Sequence, residues 1–317
     1  MTHTLIRQLA TALSLFALAA PVPARAQMVD VAFLYKLSST TGVIPFHGLN
    51  VSFDPRGKET LVVGSGRVTL FNPTGMEIFS FGDDPELGSI VGAAPTDDGD
   101  FVLLSYGKGE APSIVVANFR GELKGLVEPK GLPAQVPQPF RANAIGWAQG
   151  HVYLADLAGM RVVVLGMDGE FVAFHDLARL CDIADNKRVD NGVKGLRVAE
   201  NGDILFTVQP MFRAFVLSPD GTFRSFGVKG SAPGKFNIVS GIARDERGYY
   251  YVTDILKSAV LVFDKEFRWV KEFGYRTGKP GALYAPVDVA AGDCKIFVSQ
   301  FAKKGVSVFE VKVLDAP

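Results

Sequence analysis

Glycine punctuates this chain at an interval that few folds can use. Gly57, Gly99, Gly150, Gly202, Gly248 and Gly292 follow one another at 42 to 52 residues, each between two apolar runs. A second set, Gly75, Gly121, Gly169 and Gly221, comes 18 to 22 residues after its partner, at a later turn of the same unit. Four short strands per unit at this period predict a β-propeller. Counting the units gives an all-β chain folded as a six-bladed β-propeller. Such a ring is a platform whose function sits on loops and central mouths, so the fold alone does not name it.

The N-terminus is not part of the ring. Residues 1–26 read as a secretory signal peptide, with Arg7 as the positive region, a largely apolar run from Leu9 to Ala20, and Ala24-Arg25-Ala26 as a small-x-small cleavage site. The run is shorter than the ~20 residues of a membrane-spanning helix. No cysteine follows it closely, which argues against a lipid anchor. Cleavage after Ala26 leaves residues 27–317 as the propeller, expected to be periplasmic or secreted and without a membrane span.

Charge excludes one class of partner. Lys plus Arg and Asp plus Glu both number 33, and no basic stripe stands out, so nucleic acid is not expected. Cys181 and Cys294 fall in loops that a propeller places on opposite faces. Two packed thiols are expected rather than a disulfide. There is no Cys-x-x-Cys-His haem motif, and no cofactor is expected.

The blades run Phe46 to Phe81, Ser89 to Val127, Asn143 to Phe174, Val193 to Phe226, Val239 to Phe273, and from Pro286 to the end. The last has only three strands. The apolar segment Val31 to Leu37, VAFLYKL, is predicted to supply the fourth by pairing with Val306 to Val313, closing the ring and removing a free sheet edge. Each inner strand starts near a small residue, namely Gly48, Gly92, Ala144, Gly195 and Gly241, with Asp288 in blade six. The wedge is narrowest there and admits little side chain. Larger residues such as Phe53, Trp147, Phe206 and Tyr251 are expected to fill the widening gap between blades.

Blade five, FNIVSGIARDERGYYYVTDILKSAVLVFDKEFRWVKEFG, and blade three, NAIGWAQGHVYLADLAGMRVVVLGMDGEF, resemble NHL repeats. The linkers Gly227 to Phe236 and Gly274 to Tyr284 resemble that family's inter-blade connectors. Blades two, four and six depart from the pattern, with Tyr106, Val208 and Gln300 where Asp156 and Asp254 keep its aspartate. Those two aspartates are expected to orient the following turn. The resemblance implies an architecture more than an activity. Six-bladed relatives include calcium-dependent lactonases and hydrolases, a zinc-dependent peptide-amidating lyase and strictosidine-synthase-like proteins. All work at the channel mouth, where His47, Val91, Asn143, Lys194, Ser240 and Val287 are the matching positions here.

Those positions make a poor catalytic set. A zinc site wants about three His or carboxylate ligands. After the leader only His47, His151 and His175 remain, at a channel mouth, on the opposite face and near the periphery. A calcium site wants ~6–8 oxygens, whereas the ring offers Asn143, Ser240 and Asp288 beside the repelling Lys194. No acid is evident to orient His47 toward Ser240. No catalytic residue and no metal are therefore expected. His47, Asn143, Lys194 and Ser240 are read as lining a channel mouth able to take a small ligand. Carboxylate-rich turns such as Asp97-Asp98-Gly99-Asp100 have ordinary turn chemistry.

The connectors are richer. Val127 to Phe140 carries four prolines, and Asp176 to Gly192 has Leu177, Leu180, Cys181 and Ile183 near helical spacing. Tyr106, Leu180, Met211 and Phe212 all fall on the face that holds connectors and second-to-third-strand hinges, and are candidate partner contacts. The expected function is a non-enzymatic scaffold that binds a protein partner in the envelope or extracellular space. The alternatives are a central-channel lactonase, ester hydrolase or lyase, and a small-ligand or peptide sensor.

Overall fold

The computed structural model describes residues 28–39, 42–43, 50–107, 112–301 and 304–314, so the expected leader and its cleavage site, His47 and Gly48 lie outside the described residues. Six four-stranded antiparallel sheets form the blades of a six-bladed β-propeller. Their inner strands are Asn50–Asp54, Ser89–Pro95, Ala144–Ala148, Val193–Val198, Val239–Arg244 and Pro286–Gly292. The turn glycines earn their place by backbone geometry. Gly99, Gly150, Gly202 and Gly248 have φ between 78° and 88°, and the second set has φ between 75° and 86°. An L side chain is strained in that left-handed region.

The sixth blade closes as the sequence predicts. Met28–Lys36 pairs antiparallel with Val306–Leu314, from Met28 opposite Leu314 to Lys36 opposite Ser307, with a bulge between Phe33 and Tyr35. Val29, Val31 and Phe33 alternate onto the core side, as a half-buried strand requires. Phe33 meets the Phe309 ring edge-on at 5.7 Å. Lys271 of blade five donates to the Val29 carbonyl at 2.9 Å, tying this clasp to the neighbouring blade.

Close approach of the inner strands follows the small residues, with one shift. A Cβ on Gly241 would sit 2.6 Å from Asp288 Cα, and one on Gly195 would strike the Ser240 carbonyl. In blade three the tight position is Gly146 rather than Ala144, since a Cβ there would meet Val198 at 2.6 Å. Ala144 lies two residues nearer the connector. Between blades, Phe206 and Tyr251 are fully buried, each contributing about 1.5–3 kcal/mol. Phe53 stacks on Phe297 of blade six at 5.4 Å, sealing the seam at which the ring closes. Trp147 is half-buried, packing against the core between blades two and three as expected while also lining the channel wall.

The long connector after blade three folds into two short helices, Leu177–Leu180 and Arg188–Asn191, joined by a 3-10 turn at Asp185–Lys187. Asp176 caps the first, accepting from Arg179 N at 3.1 Å. Arg188 is buried and grips both Asp176 oxygens at 2.7 and 2.8 Å, together with Asp185 and the Gly159 carbonyl. This pins the connector to the end of blade three. No helix among the described residues is long and apolar enough to cross a membrane.

Both cysteines are free. Cys181 is a packed thiol as expected, and burial pushes it up to about 12. Cys294 corrects the expectation, because it is exposed. Asp293 and Cys294 both take left-handed φ, 50° and 57°, in the tight turn joining the first two strands of blade six. A residue at such a tip has no sheet to pack against.

Candidate functional site

The inner strands run from the connector face to the face of the first turns, so the channel has two mouths of different construction. At the connector mouth, Ser240 is buried and its Oγ donates to the Val287 carbonyl of the next blade at 2.7 Å. Its own carbonyl accepts from the Thr207 hydroxyl of the preceding blade. Asn143 Oδ1 accepts from Leu157 N at 3.0 Å, capping a hinge. Lys194 is exposed. Two of the three described candidates at this mouth are thus engaged in joining strands, and none bonds another. The pattern aspartates act as the sequence predicts. Asp156 accepts from Gly159 N at 2.8 Å, and Asp254 holds the N–H groups of Asn237, Ile238 and Lys257.

Part-way along the axis lies a contact that sequence reasoning missed. Arg197 of blade four reaches past blade five to Asp288 of blade six, placing Nη2 at 3.1 and 3.0 Å from the two carboxylate oxygens and 3.1 Å from the Val289 carbonyl. Asp288 Oδ2 also accepts from Val51 N of blade one at 3.0 Å. One carboxylate therefore ties three blades with charge-assisted hydrogen bonds. The available signal was a charged residue within an innermost strand, where neighbouring blades carry small or apolar ones.

Toward the first-turn face the strands diverge around a cavity of about 860 Å³ lined by all six blades. Trp147 and Arg197 stand on its walls, and Arg56, Asp97, Glu200 and Arg244 belong to its rim. The rim arginines are occupied. Arg56 donates to the Thr96 carbonyl, and Arg244 pairs with Asp203 at 2.5 Å and with Asn201 at 2.9 Å. Asp97 and Glu200 are exposed. Among the described candidates, none of Asn143, Lys194 and Ser240 lines this cavity.

The two described histidines, His151 and His175, do not converge. His151 begins the second strand of blade three, and His175 lies in its outer strand, where burial lowers its pKa. Among the described residues no three His, Cys, Asp or Glu side chains are grouped so as to share a metal ion.

On the connector face, Met211 and Phe212 turn inward. Each is partly buried against a core cluster, and Lys229 lies 4.8 Å over the Phe212 ring. The Tyr106 hydroxyl reaches the Ala142 carbonyl at 3.5 Å. Leu180 remains exposed, and it has company: Val189 and Val228 on connectors, Leu256 and Phe301 on hinges, and Tyr275 on the last linker. Val189 is 80% and Leu256 64% accessible.

No family model matches the chain, and no curated protein does. Solved structures match over most of the chain at low identity. Virginiamycin B lyase from Staphylococcus aureus is 12% identical with a TM-score of 0.54, covering 91% of this chain and 90% of that one. A luciferin-regenerating enzyme is 13% identical with a TM-score of 0.57, covering 91% and 97%. A chain of a nidogen–laminin complex is 15% identical with a TM-score of 0.52, covering 76% and 85%. At these identities the likeness establishes the propeller fold alone, and the fold spans enzymes and a protein complex.

Proposed function

We propose that this chain is an exported NHL-type propeller that performs no chemistry of its own and binds a protein partner in the envelope or extracellular space. The binding surface is the connector face. The observation that carries the proposal is the set of exposed apolar side chains at that end of blades three to six: Leu180, Val189, Val228, Leu256, Tyr275 and Phe301. Exposed apolar residues at the end that also carries the connectors fit an interaction surface. They sit on connectors and hinges, and the connector that carries Leu180 and Val189 is pinned by the Arg188 grip on Asp176 and Asp185. The NHL assignment is supported by Asp254, whose turn-organising bonds match the role of the repeat's aspartate. Against an enzyme at the connector mouth stands the engagement of Asn143 and Ser240 in strand joining.

The test is affinity capture from the native envelope with the mature protein as bait, comparing wild type with Leu256→Asp and Val189→Asp. A discrete partner recovered by wild type and lost with both variants is the expected result. The same partners recovered with all three baits would overturn the proposal.

A further inference from the structure

Charge is balanced over the whole chain, with 33 basic and 33 acidic residues, yet it is not balanced locally. Three stretches, 31–53, 273–287 and 296–309, contain no Asp or Glu but carry Lys36, Arg276, Lys279 and Lys304. In the fold these four lie at the end of the clasp strand, on the linker into blade six and on the hinge of blade six, all at the connector end.

The distances show that the cations gather. Lys304 Nζ lies 4.8 Å and the Arg276 guanidinium 5.6 Å from the centroid of one ring, that of Tyr284. Both are inside the ~6 Å over which a cation is drawn to an aromatic face. Lys36 Nζ donates to the Lys304 carbonyl at 3.3 Å. Burial, and then the Lys304 charge, hold Lys36 below its ordinary value. The ring is fixed in place: the Tyr284 N–H donates to Gln300 Oε1 at 2.8 Å and its hydroxyl to the Thr277 carbonyl at 3.3 Å. Like charges this close repel unless an opposite charge intervenes. The acids bordering these stretches do not supply one. Asp30 pairs with Lys271, Asp54 with Arg56, Glu272 with Lys257, Asp288 with Arg197 and Glu310 with Lys312. Among the described residues none of the four cations forms an ion pair.

The exposed Tyr275 and Phe301 flank these cations on the same linker and hinge. Uncompensated positive charge beside exposed apolar side chains suits an anionic ligand that also buries apolar surface. The rest of the face decides which kind. Asp83, Glu86 and Asp182 are exposed on the connectors after blades one and three. A flat anionic membrane laid across this end would meet those carboxylates, whereas a narrow acidic segment can lie on blade six alone.

We infer that the blade-six sector of the connector face binds an acidic segment of a protein partner, with its carboxylates against Arg276, Lys304 and Lys36 and a neighbouring apolar side chain against Phe301. The inference rests on the reading of the connector face as the partner surface and names the chemistry of what binds there.

Fluorescence anisotropy with a rhodamine-labelled peptide of glutamates flanked by phenylalanines tests it, with the glutamine version as the neutral probe. The acidic peptide is expected to bind saturably and to weaken as salt is raised to about 0.5 M, with the neutral peptide weaker by about tenfold or more. Arg276→Glu/Lys304→Glu is expected to cost the acidic peptide about tenfold or more. Lys130→Glu/Lys235→Glu, the same charge change at exposed lysines on other connectors, should cost less than about twofold. Phe301→Ser should weaken binding by about threefold. Thermal midpoints near that of wild type for both double variants separate lost binding from lost fold. No saturable binding, equal affinity for the two peptides, indifference to salt, or equal losses in the two double variants would each overturn the inference. So would vesicles of phosphatidylglycerol and phosphatidylcholine that sediment wild type but not Arg276→Glu/Lys304→Glu, which would assign the patch to a lipid surface. Envelope capture separates this inference from the reading beneath it. A partner retained by the charge-reversed bait sinks the acidic segment alone, and peptide binding with no partner captured sinks the scaffold alone.

Discussion

The two ends of the channel are made from the same six strands and differ in what holds them. At the connector end, neighbouring inner strands touch backbone to backbone, with Gly241 against Asp288 and Gly195 against the Ser240 carbonyl, and Ser240 bonds the next blade. At the turn end the strands splay around an open cavity whose walls carry apolar residues such as Ile145, Trp147 and Leu196 together with charged ones toward the rim. The difference teaches that the blades are joined in two ways, by close backbone packing at one end and by rim side chains such as Arg56 and Arg244 around an open space at the other. The Arg197–Asp288 pair marks the border between them.

That contrast makes substitutions at the two ends unequal. The largest effect is expected from Asp288→Ala. It strands Arg197 and frees Val51 N, and with the pair partly solvated it should cost about 3 kcal/mol, the lower end for breaking a buried pair. Urea unfolding of this variant and of Arg197→Met/Asp288→Leu separates two explanations, since the double variant should recover part of the loss. Equal losses would mean the ion pair is incidental.

Next comes Gly241→Val, whose side chain has no room beside Asp288. Overpacking of this kind should cost about 1–3 kcal/mol in the same unfolding measurement. Its counterpart at the turn end, Gln149→Ala on the exposed cavity rim, should change stability by less than about 0.5 kcal/mol. A comparable cost at both positions would erase the distinction drawn here.

A smaller effect is expected from pH, again at the connector end. Burial alone would raise the Asp176 carboxyl, but Arg188 and the Arg179 N–H together hold it below its ordinary value of 3.8. A carboxyl depressed in the folded state adds stability above its unfolded value, and that share is lost as pH falls through the folded one. The wild-type thermal midpoint should therefore drop more steeply below pH 3.8 than that of Asp176→Asn. The variant should also start lower at neutral pH.

The thiols give the mildest probe, because labelling them need not perturb the ring. Cys294 at the turn face should react with a disulfide reagent at once, and Cys181 beneath the connector helices only on unfolding. Cys294→Ala should abolish the fast phase. A fast second equivalent from the native protein would show the connector opening readily.

Blade count, strand limits and the clasp were legible because they follow from local rules. Gly99 or Gly221 marks a turn by its backbone conformation, and VAFLYKL needs a partner wherever it lies. The capping role of Asp156 was legible for the same reason. The cavity was not, because it depends on how six strands taper in space. The Arg197–Asp288 pair joins residues 91 apart in blades that are not adjacent, and no repeat pattern relates them. Met211 and Phe212 were read as surface candidates from their place on a hinge. Their inward turn is a matter of tertiary packing, with Phe212 taking a left-handed φ of 54° that no sequence rule assigns to phenylalanine.

The pairing of Met28–Lys36 with Val306–Leu314 has a consequence for the chain in time. The earliest described strand of the ring to leave the ribosome must wait for the latest, with roughly 280 residues between them, so this pairing has the greatest sequence separation among the described residues and is the slowest kind to form. Until then Val29 and Phe33 have no mate and the third strand of blade six does not exist. A product cut short near its C-terminus would carry five finished blades and two raw edges, and would be recognisable to proteolysis as incomplete.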